Sequence, residues 1–98
     1  MLFKTIENNL KLLGKTILVE FVDFDKTCEE GRFGRSNLKQ GNILIDNTIR
    51  NERQEETLLH EVIHHINSDL YLKISEEQTT ALSTALYSFL RDNKIIGE

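Results

Sequence analysis

Proline is absent from the 98-residue chain, and cysteine occurs once. A single thiol cannot close an internal disulfide, so packing or a metal must hold the fold. There is no low-complexity segment and no internal repeat. A length below about 150 residues leaves no room for a second independent core, so residues 1–98 read as one domain. No apolar run approaches the roughly 18 residues of a membrane span, and the opening MLFKTIENNL lacks a signal-type apolar stretch. A cytoplasmic protein with no membrane partner is expected. Positive charge is in deficit: Lys and Arg number 12 against 16 Asp and Glu, a formal net charge of −4. A nucleic-acid binder would normally show a basic face, so no nucleic-acid partner is expected.

The patterning predicts an α+β domain. Leu2, Phe3, Ile6, Leu10 and Leu13 recur at helical spacing, with Gly14 as a stop. Residues 16–24 are β-branched and aromatic with apolar residues on both faces, as in an interior strand. Residues 25–30 are polar and read as a loop. Two further strands, 32–39 and 42–47, flank a Gln40-Gly41 turn. A helix is expected from Asn51, as N-cap with Gln54 three residues on, to about Asn67. A last helix opens at Ser75, carries Glu76 and Glu77 in its first turn, and continues to about Asn93. The architecture expected is a small antiparallel β-sheet of about three strands packed with an N-terminal helix, a metal-binding helix and a C-terminal helix.

The chemistry lies in His60-Glu61-Val62-Ile63-His64, an H-E-x-x-H pattern. Two His at i and i+4 stand one turn apart on one side of a helix, where both imidazoles can converge on one Zn²⁺. Glu61 points to the neighbouring side, within reach of a water on such an ion. Zinc lowers the pKa of that water towards about 7, and a carboxylate can take its proton and pass it to a leaving nitrogen. The plainer reading makes both His ordinary solvated helix residues. On a helical wheel, Leu58, Leu59, Val62, Ile63, Ile66 and Leu70 form the apolar stripe, with His60, His64 and Thr57 on its far side. The His are therefore not incidental members of the core stripe.

A catalytic zinc has three protein ligands and one open position. Asp69, only five residues past His64, is awkwardly placed to reach back. Glu76 and Glu77 begin the next helix, whose apolar stripe is Ala81, Leu82, Ala85, Leu86 and Phe89. If the two helices pack antiparallel and stripe to stripe, the rotation favours Glu76. Glu77 stays open, because either carboxylate can be explained by the helix dipole alone.

Other residues have plainer roles. His65, about 100° round the helix from His64, reads as a flank of the motif rather than a ligand. Tyr71 and Tyr87 could donate to an oxyanion, but packing explains each. Cys28 lies among acidic residues that do not favour a thiolate. The 31–35 stretch lacks a phosphate loop's glycine pattern and reads as a flexible turn. The charges of 52–56 read as a solvated first turn. Strand 42–46 is a candidate sheet edge to which an extended peptide could add.

The stretch Glu56-Thr-Leu-Leu-His-Glu-Val-Ile-His-His, followed by Ser75-Glu-Glu-Gln before an Ala/Leu-rich helix, resembles the ImmA/IrrE-like zinc metallopeptidases. The likeness is greatest to their short phage and prophage forms, and covers about half the chain. It implies a compact zincin in which His60 and His64 bind zinc and Glu61 is the catalytic base. A Glu opening the following helix, Glu76 or Glu77, would complete the metal site. The family's Ala-Asn-x-Phe-Ala stretch is poorly kept, with Leu82 and Ser83 at those places if Glu76 is the ligand. Some members cleave repressor proteins and carry an attached DNA-binding or regulatory region; no such region is expected here, so repressor cleavage is not part of the expectation. The expectation is a zinc-dependent peptidase acting on a protein or peptide. The alternative is a non-enzymatic accessory module that keeps the fold and binds another protein.

Overall fold

Strand formation begins at the most β-branched segment of the chain. In the computed structural model, which describes residues 9–24 and 33–94, strand β2 (Lys15–Val22) is the second element. It follows β1 (Asn9–Leu12) and precedes β3 (Gly34–Asn37), β4 (Asn42–Asp46), α1 (Asn51–Leu70) and α2 (Glu76–Asp92). The architecture is α+β: among the described residues, a four-stranded sheet with two helices.

Residues 9–12 of the expected N-terminal helix are strand, and residues 1–8 lie outside the described region. Leu10 and Leu12 alternate inward with a period of two, and pairing with β2 satisfies their backbone groups. Gly14 is a turn residue instead of a helix stop. Leu13 and Gly14 take φ 51° and 80°, the left-handed values that close a two-residue hairpin between β1 and β2.

The sheet order is β1-β2-β4-β3, and β2 pairs with β4 in parallel while both outer pairs are antiparallel. The sheet is therefore mixed and four-stranded, where three antiparallel strands were expected. Turn residues announce hairpins between sequence neighbours, and β2 and β4 are not neighbours in sequence. This pairing also closes both sides of β4, so 42–46 is not a sheet edge. Among the described residues the strand at that end is β3.

Ile17 and Val19 of β2, Ile43 and Ile45 of β4, and Leu58 of α1 form the buried core, with Leu10, Leu12, Phe21 and Val62 packed against it. Burying each such aliphatic side chain contributes on the order of 1.5–3 kcal/mol. Helix α1 thus covers one face of the sheet.

The N-cap of α1 is Arg50, with no side-chain cap bond, and Asn51 is the first helical residue. Gln54 does not complete a capping box; its amide donates back to the Ile49 carbonyl at 2.8 Å. Helix α2 does have the expected box: the Ser75 hydroxyl accepts from the Gln78 amide at 3.0 Å, and Gln78 Oε1 accepts from the Ser75 amide at 2.9 Å.

Helix α2 packs against α1 through Thr79, Ser83 and Tyr87, which are its buried residues. Its apolar stripe does not face α1: Leu82, Leu86 and Phe89 are 41%, 42% and 55% exposed. The contacts run in opposite senses along the two helices, with Glu76 beside His60, Thr84 bonded to Glu56, and Tyr87 to Glu55. The helices are therefore antiparallel but not stripe to stripe. Tyr87 instead faces α1, where the buried Glu55 carboxylate accepts from its hydroxyl at 2.7 Å, as buried polar groups normally find a hydrogen-bond partner. Among the described residues no helix is long and apolar enough to cross a membrane.

Candidate metal centre

Helix α1 carries His60 and His64 one turn apart, with ring centroids 4.9 Å from each other. Both rings are mostly shielded, their side chains 18% and 27% exposed. They face an open cleft of about 820 Å³ between α1, β3 and the first turns of α2.

The chain is brought back to this cleft by Asn67. Its side-chain amide donates to the Ile74 carbonyl at 3.1 Å, and its Oδ1 accepts from the Ile74 amide at 3.0 Å. Tyr71 adopts φ 53° as the left-handed C-cap of α1, so the helix stops there. Ser75 then caps α2, and Glu76 becomes its first residue. Glu76 Oε1 lies 2.7 Å from His60 Nε2, and Oε2 lies 3.1 Å from His64 Nε2. Glu77 is exposed and does not line the cleft.

Glu61 sits beside the two His and is buried, at 7% exposure. The Ser36 hydroxyl of β3 donates to Glu61 Oε1 at 2.6 Å. Gly34 makes this approach of β3 to α1 feasible. A Cβ at that position would lie 2.5 Å from Thr57 Cγ2 and 3.3 Å from Glu61 Oε2. The 31–35 stretch expected as a flexible turn therefore contributes Gly34 and Arg35 to a strand, while residues 31 and 32 lie outside the described region, as does Cys28.

The donor atoms here could hold a metal ion of zinc's size. Donor atoms of His60, Glu61 and His64 all lie within 4.8 Å of one another. Zinc bonds of about 2.0–2.2 Å in a tetrahedron set neighbouring donors about 3.4 Å apart. The Glu76–His separations of 2.7 and 3.1 Å are slightly shorter. The Glu76 side chain, 65% exposed, has room to draw back by that amount.

His65 is buried away from this group. Burial pushes its imidazole below its ordinary pKa, partly offset by a hydrogen bond with the Asn42 backbone. Its Nε2 has no hydrogen-bond partner among the described residues. Tyr71 is 85% exposed and off the cleft. Burial first, then the hydrogen bond to the Glu55 carboxylate, pushes the Tyr87 phenol above its ordinary pKa, and it too lies off the His60–His64 cleft.

Three residues outside the motif position the site: Gly34, Asn67 and Ser36. A glycine within a strand is a known mark of close backbone approach, so Gly34 was findable. Asn67 gave a weaker sign, as an amide near a helix end. Ser36 gave none, because its bond to Glu61 spans 25 residues. The chain matches no model of a known protein family, no curated protein and no solved structure.

Proposed function

We propose that the chain is a zinc-dependent metallopeptidase, acting in the cytoplasm on a protein or peptide. The observation that carries this reading is the convergence of His60, His64 and the Glu76 carboxylate beside Glu61, a buried carboxylate braced by Ser36. In this reading His60, His64 and Glu76 hold the metal, while Glu77, exposed and off the cleft, does not.

When bound, zinc would supply a Lewis acid for the scissile carbonyl and lower the pKa of a water towards about 7. Glu61 then takes the proton from the attacking water and delivers it to the leaving nitrogen. The Ser36 hydroxyl engages Oε1 of that carboxylate and leaves Oε2 for this traffic. An extended peptide can reach the site by adding as a strand to β3, which among the described residues ends the sheet and lines the cleft.

The test is Glu61→Gln, assayed with zinc on a pool of proteome-derived peptides read by mass spectrometry. Zinc content should match the wild type while cleavage falls by a factor of about 10² or more. Equal cleavage by the two proteins refutes the mechanism.

One observation favours the second reading, a protein-binding module without activity: the exposed Leu82, Leu86 and Phe89 face of α2. In that case the wild-type, zinc-loaded protein cleaves nothing, and Glu61→Gln leaves partner binding unchanged.

A further inference from the structure

Two helical turns from His60 the cleft carries a cation that the chemistry above does not use. Arg53 lies seven residues before His60 on α1, about 10.5 Å along the axis and nearly on the same side. Its guanidinium sits 5.4 Å from the centroid of the Phe33 ring. Both residues are exposed and line the cleft.

The position runs against helix electrostatics. Arg53 falls in the first turn of α1, where the dipole favours an acid and disfavours a cation. Among the described residues no carboxylate forms an ion pair with Arg53. Glu56, the acid at this end of the cleft, is engaged by α2, its Oε2 accepting from the Thr84 hydroxyl at 2.9 Å. Stacking on Phe33 steadies a guanidinium while leaving its N–H fork free to grip a carboxylate in the plane of the group.

We infer that Arg53, steadied by Phe33, is a carboxylate-binding subsite that selects substrates with a carboxylate about three residues beyond the cleaved bond. The inference rests on the peptidase reading. An extended peptide rises about 3.3 Å per residue, so about three residues span the distance from His60 to Arg53. The side follows from strand direction. Gly34 lies by Thr57 and Ser36 by Glu61, so β3 and α1 run the same way. Antiparallel pairing is the more stable per residue, and a peptide so paired runs from Asn37 towards Phe33. Its C-terminal part then meets Arg53. The carboxylate is either an Asp or Glu side chain or the chain's own C-terminus.

The zinc-loaded protein is first given a proteome-derived peptide pool, and one cleaved sequence is resynthesised in four forms. Three carry Asp, Ala or Lys at the third residue after the cut, and the fourth ends there with Ala. Asp should exceed Ala by about tenfold in kcat/KM, mostly through KM, since such binding is shared by ground and transition states. Arg53→Ala should bring that ratio near one, Arg53→Lys should recover part of it, and Arg53→Glu should turn the preference to Lys. A gain in the truncated peptide identifies the terminal carboxylate as the ligand; a gain only with internal Asp identifies the side chain. If neither the Asp-to-Ala ratio nor the gain on truncation differs between wild type and Arg53→Ala, the inference is overturned and the peptidase reading stands. Failure of the zinc-bound wild type to cut any peptide overturns that reading, and this inference with it.

Discussion

The Ser36 hydroxyl and the missing Gly34 side chain decide where the Glu61 carboxylate can sit. A hydrogen bond to a charged group is worth about 1.5–3 kcal/mol, against 0.5–1.5 kcal/mol for a neutral pair. Removing it leaves Glu61 without the contact that fixes Oε1 at 2.6 Å. Ser36→Ala is therefore expected to lower kcat by about tenfold or more while zinc affinity stays within about twofold of wild type. Steady-state kinetics and zinc titration measure the two effects separately, and an unchanged kcat would count against the positioning role. The motif residues themselves were legible from spacing, because an i, i+4 pair shares a helix side whatever surrounds it. Their support was not, because it crosses from one element to another.

Among the elements, α1 was readable and its partners were less so. A helical apolar spacing fixes a face but not what covers it. The stripe of α2 was legible as a stripe, yet Thr79, Ser83 and Tyr87 are what α1 buries. The Glu55–Tyr87 bond goes with that orientation, and no periodicity carries it. Likewise Leu10 and Leu13 suit a helix on paper, but Leu10 and Leu12 suit a strand once β2 is alongside.

The β4–α1 connection depends on Asp46, whose Oδ1 accepts from the Thr48 amide at 3.0 Å and the Thr48 hydroxyl at 2.7 Å. Burial works to raise this carboxyl, but the bonds from Thr48 and from the Phe24 backbone prevail and hold it below its ordinary value. A depressed folded pKa stabilises the fold above the unfolded value of about 3.9, and the contribution is lost as pH falls through the folded value. Urea denaturation from pH 5 downward should show this loss in the wild type. Asp46→Asn should be less stable at pH 5, and the gap should close in acid; a constant gap would remove Asp46 as its source.

Over the whole molecule, three layers follow one another: sheet, α1, α2. The first boundary is an aliphatic core, and the second is a polar seam with the His60–His64 cleft at one end. An 11.4 kDa chain with no disulfide has a limited core, so a ligand shared by α1 and α2 would add to stability as well as chemistry. The α+β class and the His60-Glu61-His64 constellation were legible because both are local patterns. The mixed sheet order, and which of Glu76 and Glu77 lies beside the two His, required the fold. The most direct test of the central claim is the X-ray absorption spectrum of the zinc-loaded protein, compared across wild type, Glu76→Ala and Glu77→Ala. The account expects two imidazole nitrogens and one carboxylate in the wild type with a position left for water, a shell unchanged in Glu77→Ala and short of one ligand in Glu76→Ala. A shell closed by four protein ligands, or one that Glu76→Ala leaves intact, would contradict it.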